Sequence, residues 1–183
     1  MLLKSETYCL LGIGGVGMSS IGKYLKLKGN EVYGYDREES LMTKSLEKIG
    51  VKILYDDSKY LIDPKLRSSK TLIIYSSAIP ESNRMLKFYR KNGNIIKKRA
   101  LFLSEICNHF ITIAVAGTHG KTTTSAILSH MFISDNKKIT AFIGGVLNNY
   151  ESNLIIKGND FFIVEADEFD RSFLYLKPEY GCI

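Results

Sequence analysis

Short runs of apolar, β-branched and aromatic residues recur at positions 7–13, 31–35, 51–54, 71–75, 111–116, 139–143 and 161–164. Most are too short for helices and too continuous for half-solvated strands, so they predict buried strands. Longer stretches of helical period lie between them. Residues 16–28 place Val16, Ile21, Leu25 and Leu27 along much of one stripe, and residues 121–133 form a further such stretch. Strands alternating with helices predict βαβ units around a largely parallel sheet, an α/β fold. A strand, a glycine turn and a helix follow one another twice, near Gly12 and near Gly117, and each turn is expected to open its own domain. The boundary falls near 107–110, giving one domain over residues 1–107 and another over 108–183. The domain over 108–183 is expected to be incomplete, because after 161–164 only one further apolar start, at 180–183, remains. A sheet covered on both faces needs more elements than that, so the chain is expected to be the front part of a longer protein.

Composition changes this picture little. With 45% hydrophobic and 24% charged residues the chain is that of a folded protein. No stretch approaches the roughly 20 apolar residues a membrane span needs, and residues 1–6 turn polar before a signal-peptide core forms. A cytoplasmic location with no membrane partner is expected. Cys9, Cys107 and Cys182 are odd in number, far apart and outside any CxxC pattern, so they suggest neither a disulfide framework nor a zinc site. The net charge of +6 is scattered, and its one tight run, Lys97, Lys98 and Arg99, reads as a solvated edge. An anionic small ligand accounts for the excess as well as nucleic acid does, and no nucleic-acid partner is expected.

The candidate chemistry sits in three segments. Gly12-Ile13-Gly14-Gly15-Val16-Gly17 matches G-x-G-x-x-G directly between a predicted strand and helix, and Asp36 follows the next predicted strand where a ribose-binding acid is expected. Gly12 permits the turn, Gly14 admits a diphosphate to the backbone, Gly17 permits close packing, and the helix N-terminus faces the anion. This implies a Rossmann-like domain for a phosphate-bearing nucleotide. Taken alone it would be assigned to a nicotinamide cofactor.

Another segment, Gly117-Thr118-His119-Gly120-Lys121-Thr122-Thr123-Thr124, follows a buried strand and begins a helix. Backbone amides there would wrap phosphates, Lys121 would reach the terminal ones, and the Thr122 hydroxyl would ligate magnesium. The common pattern G-x-x-x-x-G-K-[ST] wants glycine at 115, where this chain has Val115, so the match is partial. The third segment is the apolar run 161–164 ending in Glu165-Ala166-Asp167-Glu168-Phe169-Asp170. An acid at a strand's C-terminal end, downstream of a phosphate loop, is how such sheets hold magnesium opposite the terminal phosphate. Glu165, nearest the strand end, is the favoured ligand, with Asp167 and Glu168 behind it.

The spacing G-T-H-G-K-T-T resembles the Mur ligase family, whose loops read G-[TS]-x-G-K-[ST]. Gly12 to Ser19, Ser76-Ser77-Ala78-Ile79-Pro80, Gly144-Gly145, the acidic segment and Ser172-Phe173-Leu174 are similar to that family's motifs in its order, over essentially the whole chain. His119 resembles the alanine-adding branch and the branch that recycles tripeptide, and the first loop favours the former. The resemblance implies a Rossmann-like domain for a UDP-sugar, then the front part of a central P-loop ATPase domain, with a third domain absent. It implies ATP and Mg2+ as cofactors, and UDP-N-acetylmuramate and L-alanine as substrates, joined through an acyl phosphate. Lys121 and Glu165 would be catalytic, and Gly117, Thr118, His119, Gly120, Lys121, Thr122 and Thr123 would bind ATP. Thr122 and Glu165 would hold the metal, while Gly14, Gly15, Gly17, Met18, Asp36 and Ser77 would border the UDP-sugar. The family's Asp-His metal pair does not occur before Ile183, so the piece alone is expected to be inactive. Two rival readings are a nicotinamide-dependent oxidoreductase, which leaves Gly117 to Thr124 without a purpose, and a non-catalytic nucleotide-binding module.

Overall fold

The computed structural model describes residues 7–58, 63–166 and 172–183. Two compact units divide the chain between Arg99 and Ala100. In the first, β1 (Thr7–Leu11), β2 (Glu31–Tyr35), β3 (Lys52–Leu54), β4 (Leu72–Tyr75) and β5 (Ile96–Lys98) form a parallel sheet in the order β3-β2-β1-β4-β5. The helices α1 (Val16–Leu27), α2 (Leu41–Lys48) and α3 (Arg84–Lys91) connect these strands. The chain winds outward from β1 in one direction and then, beginning at β4, in the other. The reversal opens a crevice beyond the C-terminal ends of β1 and β4, where doubly wound sheets bind ligands.

Local chemistry explains the connections. Ser40 and Thr43 cap α2 reciprocally, the Thr43 N–H donating to Ser40 Oγ at 3.2 Å and the Ser40 N–H to Thr43 Oγ1 at 2.8 Å. Asn83 caps α3 by accepting the Leu86 N–H at 2.9 Å. Met85, Leu86 and Tyr89 of α3 bury into a core with Cys9, Leu11, Tyr33, Tyr35 and Ile73. Burial pushes the Cys9 thiol up to about 12, against a smaller opposing effect of its hydrogen bond with Tyr89, so it is a structural group rather than a nucleophile. Beneath the glycine turn, Ile13 packs on Gly34 so closely that a Cβ at Gly34 would stand 2.5 Å from Ile13 Cδ1 and 2.7 Å from its Cγ2. Gly34→Ala is therefore expected to destabilise the unit by about 1–3 kcal/mol through overpacking. Chemical denaturation checks this, and an unchanged midpoint would contradict it.

Helix α4 (Arg99–Cys107) leads into β6 (Ile111–Val115), α5 (Lys121–Ser134), β7 (Ile139–Leu147), β8 (Ser152–Ile156), β9 (Phe161–Glu165) and β10 (Tyr180–Cys182). The sheet of this unit runs β10-β6-β9-β7-β8, parallel except for β8, which pairs antiparallel with β7. Its core gathers Ile113, Ile139, Ala141, Ile143, Ile155 and Ile163. Ser125 and Ser129 of α5 are buried, whereas Ile127 and Met131 are exposed. Small side chains thus let the helix lie close on its sheet. No helix among the described residues is long and apolar enough to cross a membrane.

The α/β architecture and its largely parallel sheets agree with the sequence pattern. The pattern does not predict β5, β8, α2, α3 or α4. β7 runs to Leu147 rather than stopping at 143, and the apolar start at 180–183 becomes β10.

Candidate nucleotide and metal site

Val115 of β6 is in register with Glu165 of β9, so the loop after β6 and the acid ending β9 leave the same edge of the sheet side by side. The loop has its shape from two glycines with φ of +129° at Gly117 and +78° at Gly120, a region that side-chain-bearing residues rarely occupy. Gly120 is the N-cap of α5, and its carbonyl accepts the Thr124 N–H at 2.8 Å. By helix geometry, the amides of Lys121, Thr122 and Thr123 have no carbonyl of their own helix to bond. No acid lies in the first turn of α5. The positive end of the helix and the Lys121 ammonium therefore converge on a place suited to an anion.

Lys121 Nζ donates to the Gly117 carbonyl at 2.6 Å, folding the side chain across the loop. The Thr122 hydroxyl donates to Glu165 Oε2 at 3.2 Å, and the Gly144 N–H donates to Glu165 Oε1 at 2.7 Å. Thr118, His119 and Thr123 are exposed or half-buried along the loop and first turn. Lys121, Thr122 and Glu165 are thus gathered at one corner of the sheet. Asp167 and Glu168 lie outside the described residues. Among the described residues no group of three or more His, Cys, Asp or Glu could hold a metal. A hydroxyl beside a carboxylate nonetheless fits magnesium, which keeps several waters and takes one or two protein oxygens together with substrate phosphate.

The first unit holds a separate site at its crevice. Asp36 Oδ2 accepts the Gly14 N–H at 2.7 Å and its Oδ1 accepts the Arg37 N–H at 2.8 Å, so this carboxylate holds the glycine turn. Gly12, with φ of +81°, lies under the turn after β4, where a Cβ would stand 3.1 Å from the Ser76 Cβ. Ser77 is exposed on that turn, and Gly15, the N-cap of α1, is also exposed. Met18 is 1% exposed and can offer a ligand little beyond its backbone. Gly17 borders Arg99, whose Nη1 would lie 2.6 Å from a Cβ there.

Two features escape the sequence pattern. Arg99 falls within a basic run that reads as one solvated edge, although its place directly after a strand, on the edge carrying the glycine turn, singles it out. Gly144 and Gly145 stand out only as family markers, and pattern alone gives no sign of their contact with Glu165.

A doubly wound sheet with a glycine turn at its reversal, followed by a sheet whose phosphate-type loop adjoins an acid-bearing strand end, defines a two-unit α/β protein of the nucleotide-handling kind. The family described as "Mur ligase family, catalytic domain" matches residues 7–111, more than half of the chain. The chain belongs to the Mur ligase family. It is 43% identical over 182 residues to a UDP-N-acetylmuramate–L-alanine ligase of Flavobacterium johnsoniae, covering 100% of this chain and 40% of that protein. A ligase of the same name from Porphyromonas gingivalis is 46% identical over 171 residues, covering 92% of this chain and 37% of the other. The solved UDP-N-acetylmuramate-alanine ligase of Thermotoga maritima superposes with a TM-score of 0.83 at 27% identity, covering 96% of this chain and 40% of that one. The fold is shared with a UDP-N-acetylmuramate:L-alanyl-gamma-D-glutamyl-meso-diaminopimelate ligase from Neisseria meningitides, at a TM-score of 0.85 and 24% identity over 97% of this chain and 59% of that one. The chain spans about 40% of the length of the curated relatives it matches.

Proposed function

We propose that this chain belongs to an ATP-dependent ligase that joins L-alanine to UDP-N-acetylmuramate in the cytoplasm, with residues 1–107 binding the UDP-sugar and residues 108–183 beginning the ATP-binding domain. The observation that carries the reading is the Thr122 hydroxyl 3.2 Å from the Glu165 carboxylate, directly behind the loop that ends in Lys121. The names of the Flavobacterium and Porphyromonas relatives support the choice of substrates.

Amide formation needs the sugar's carboxylate activated, and phosphoryl transfer from ATP to give an acyl phosphate does this before the alanine amine displaces phosphate. The protein's task is positioning and charge neutralisation more than covalent chemistry. The amides of Gly120 to Thr123 bind and orient the phosphates. Lys121 exchanges the Gly117 carbonyl for a phosphate oxygen and neutralises charge there. Thr122 and Glu165 would hold Mg2+, which when bound neutralises charge on the phosphates. In the first unit, Gly14, Gly15 and Gly17 let a diphosphate approach the backbone, Asp36 keeps that turn in shape, and Ser77 borders the opening.

The test is ligation by the full-length protein with ATP, Mg2+ and UDP-N-acetylmuramate, offering free L-alanine in competition with L-alanyl-γ-D-glutamyl-meso-diaminopimelate. The expected result is phosphate release coupled to alanine incorporation, with alanine preferred by about 10²-fold or more, the scale on which a pocket discriminates by size and fit. Preference for the tripeptide would move the protein to the recycling branch. Nicotinamide reduction with no ligation would remove the ligase reading.

A further inference from the structure

Gly144 and Gly145 lie in β7 within the stretch between Phe142 and Leu147 where its pairing with β8 shifts register. Neither has a positive φ, so neither backbone conformation calls for glycine. Glycine inside a strand weakens it and marks a bulge or a close approach. The close approach here is to the two oxygen donors of the metal corner. A Cβ on Gly144 would overlap Glu165 Oε2 and stand 3.0 Å from its Cδ, and a Cβ on Gly145 would stand 3.2 Å from Thr122 Cγ2. The Gly144 N–H donates to Glu165 Oε1 at 2.7 Å. A bond from an amide to an ionised carboxylate is among the stronger and more directional contacts available. With one oxygen fixed by that amide, the other is left beside the Thr122 hydroxyl at 3.2 Å.

We propose that Gly144 is a positioning residue for the metal: its amide sets the rotation of the Glu165 carboxylate, and its bare Cα leaves room for that carboxylate to reach a cation shared with Thr122. The proposal rests on the reading of Thr122 and Glu165 as magnesium ligands. Outer partners of this kind typically govern metal affinity by about 10–100-fold. Glu165 sits at the end of a strand whose preceding residues are buried, so its backbone is fixed and rotation of its side chain is the freedom that remains. The Gly144 amide removes that freedom before any nucleotide arrives.

Mn2+ can stand in for Mg2+ in an electron paramagnetic resonance titration of the full-length protein with a non-hydrolysable ATP analogue. Gly144→Ala is expected to weaken Mn2+ binding by about 10–100-fold, with binding of the analogue without metal and the melting temperature unchanged. Should that variant not fold, replacing the Gly144 N–H by an ester oxygen removes the donor and adds no atom near Glu165, and the same loss is expected. Glu165→Gln serves as the control. Unchanged Mn2+ affinity in the ester protein, where Glu165→Gln weakens it, would overturn the role of Gly144 and leave the metal site standing. An equal loss of metal-free analogue binding would also overturn it, showing a general distortion. If Glu165→Gln itself leaves Mn2+ affinity unchanged, the reading of the metal site fails first and the inference with it.

Discussion

Replacing Lys121 by alanine in the full-length protein is expected to lower kcat for ATP-dependent ligation by at least about 10²–10³-fold, the cost of removing one preorganised charge-stabilising group. The fold should survive, because Lys121 is half-buried at the first position of α5 and its bond to the Gly117 carbonyl stays within the loop. Surface changes of this kind typically alter stability by about 0.5 kcal/mol or less. The effect on rate is large because the ammonium stands at the positive end of a helix with no acid in its first turn. That arrangement is unfavourable for a resident cation and becomes favourable only when a polyanion bridges the two. Steady-state kinetics beside a thermal melt separate the outcomes: lost turnover with an unchanged melt supports the phosphate cradle, and wild-type turnover would remove it.

The strands legible in the sequence are its continuous apolar runs, and the two legible helices stand beside glycine turns. Gly29, with φ of +87°, follows α1, and Gly120, with φ of +78°, begins α5, so the turns on which the two helices hang are visible as residue types. Glycine alone does not decide legibility, since Gly50 after α2 and Gly93 after α3 also take positive φ, of 84° and 74°. Helix α3 carries Arg84, Lys87, Arg90 and Lys91 around the three residues it buries, and an octet of which half is charged hides so short a stripe. Helix α4 is buried on most sides, through Ala100, Phe102, Leu103, Ile106 and Cys107, so it shows no helical alternation. Strand β5 is three residues with two lysines at a sheet edge, where charge is tolerated. Strand β8 returns from β7 through a turn in which Glu151, not glycine, takes a positive φ of 48°, so the usual hairpin signal is missing.

The candidate site divides in the same way. Lys121, Thr122 and Glu165 are legible because loop and acid each follow an apolar run, and parallel pairing of β6 with β9 puts the ends of those runs together. Gly144 is not, because its contribution is an amide and an absent side chain, and it reaches Glu165 across 21 positions of sequence. Arg99 is not, because only the β4–β5 pairing brings the end of β5 to the edge where Gly17 lies.

The first unit is expected to bind UDP-N-acetylmuramate more tightly than NAD by about ten- to a hundredfold. The sequence invites the opposite guess, since a G-x-G-x-x-G turn followed by an acid after the next strand is the dinucleotide pattern. In that pattern the acid reads the ribose hydroxyls. Here Asp36 is engaged otherwise: one oxygen accepts the Gly14 N–H at 2.7 Å and the other the Arg37 N–H at 2.8 Å. A ribose would have to compete for this carboxylate with the turn that cradles its own diphosphate. A hydrogen bond to a charged group is worth about 1.5–3 kcal/mol, which converts to roughly ten- to a hundredfold in affinity. A UDP-sugar carries one ribose against the two of NAD, so it can seat its diphosphate on the open backbone of Gly14 and Gly15 with fewer hydroxyls seeking Asp36. Calorimetry of the full-length protein with each ligand decides, and Gly14→Ala provides the control, because its Cβ would stand 2.8 Å from Asp36 Oδ2 and should weaken UDP-sugar binding by breaking the hold on the turn. Tighter binding of NAD than of the UDP-sugar would return this unit to the nicotinamide reading.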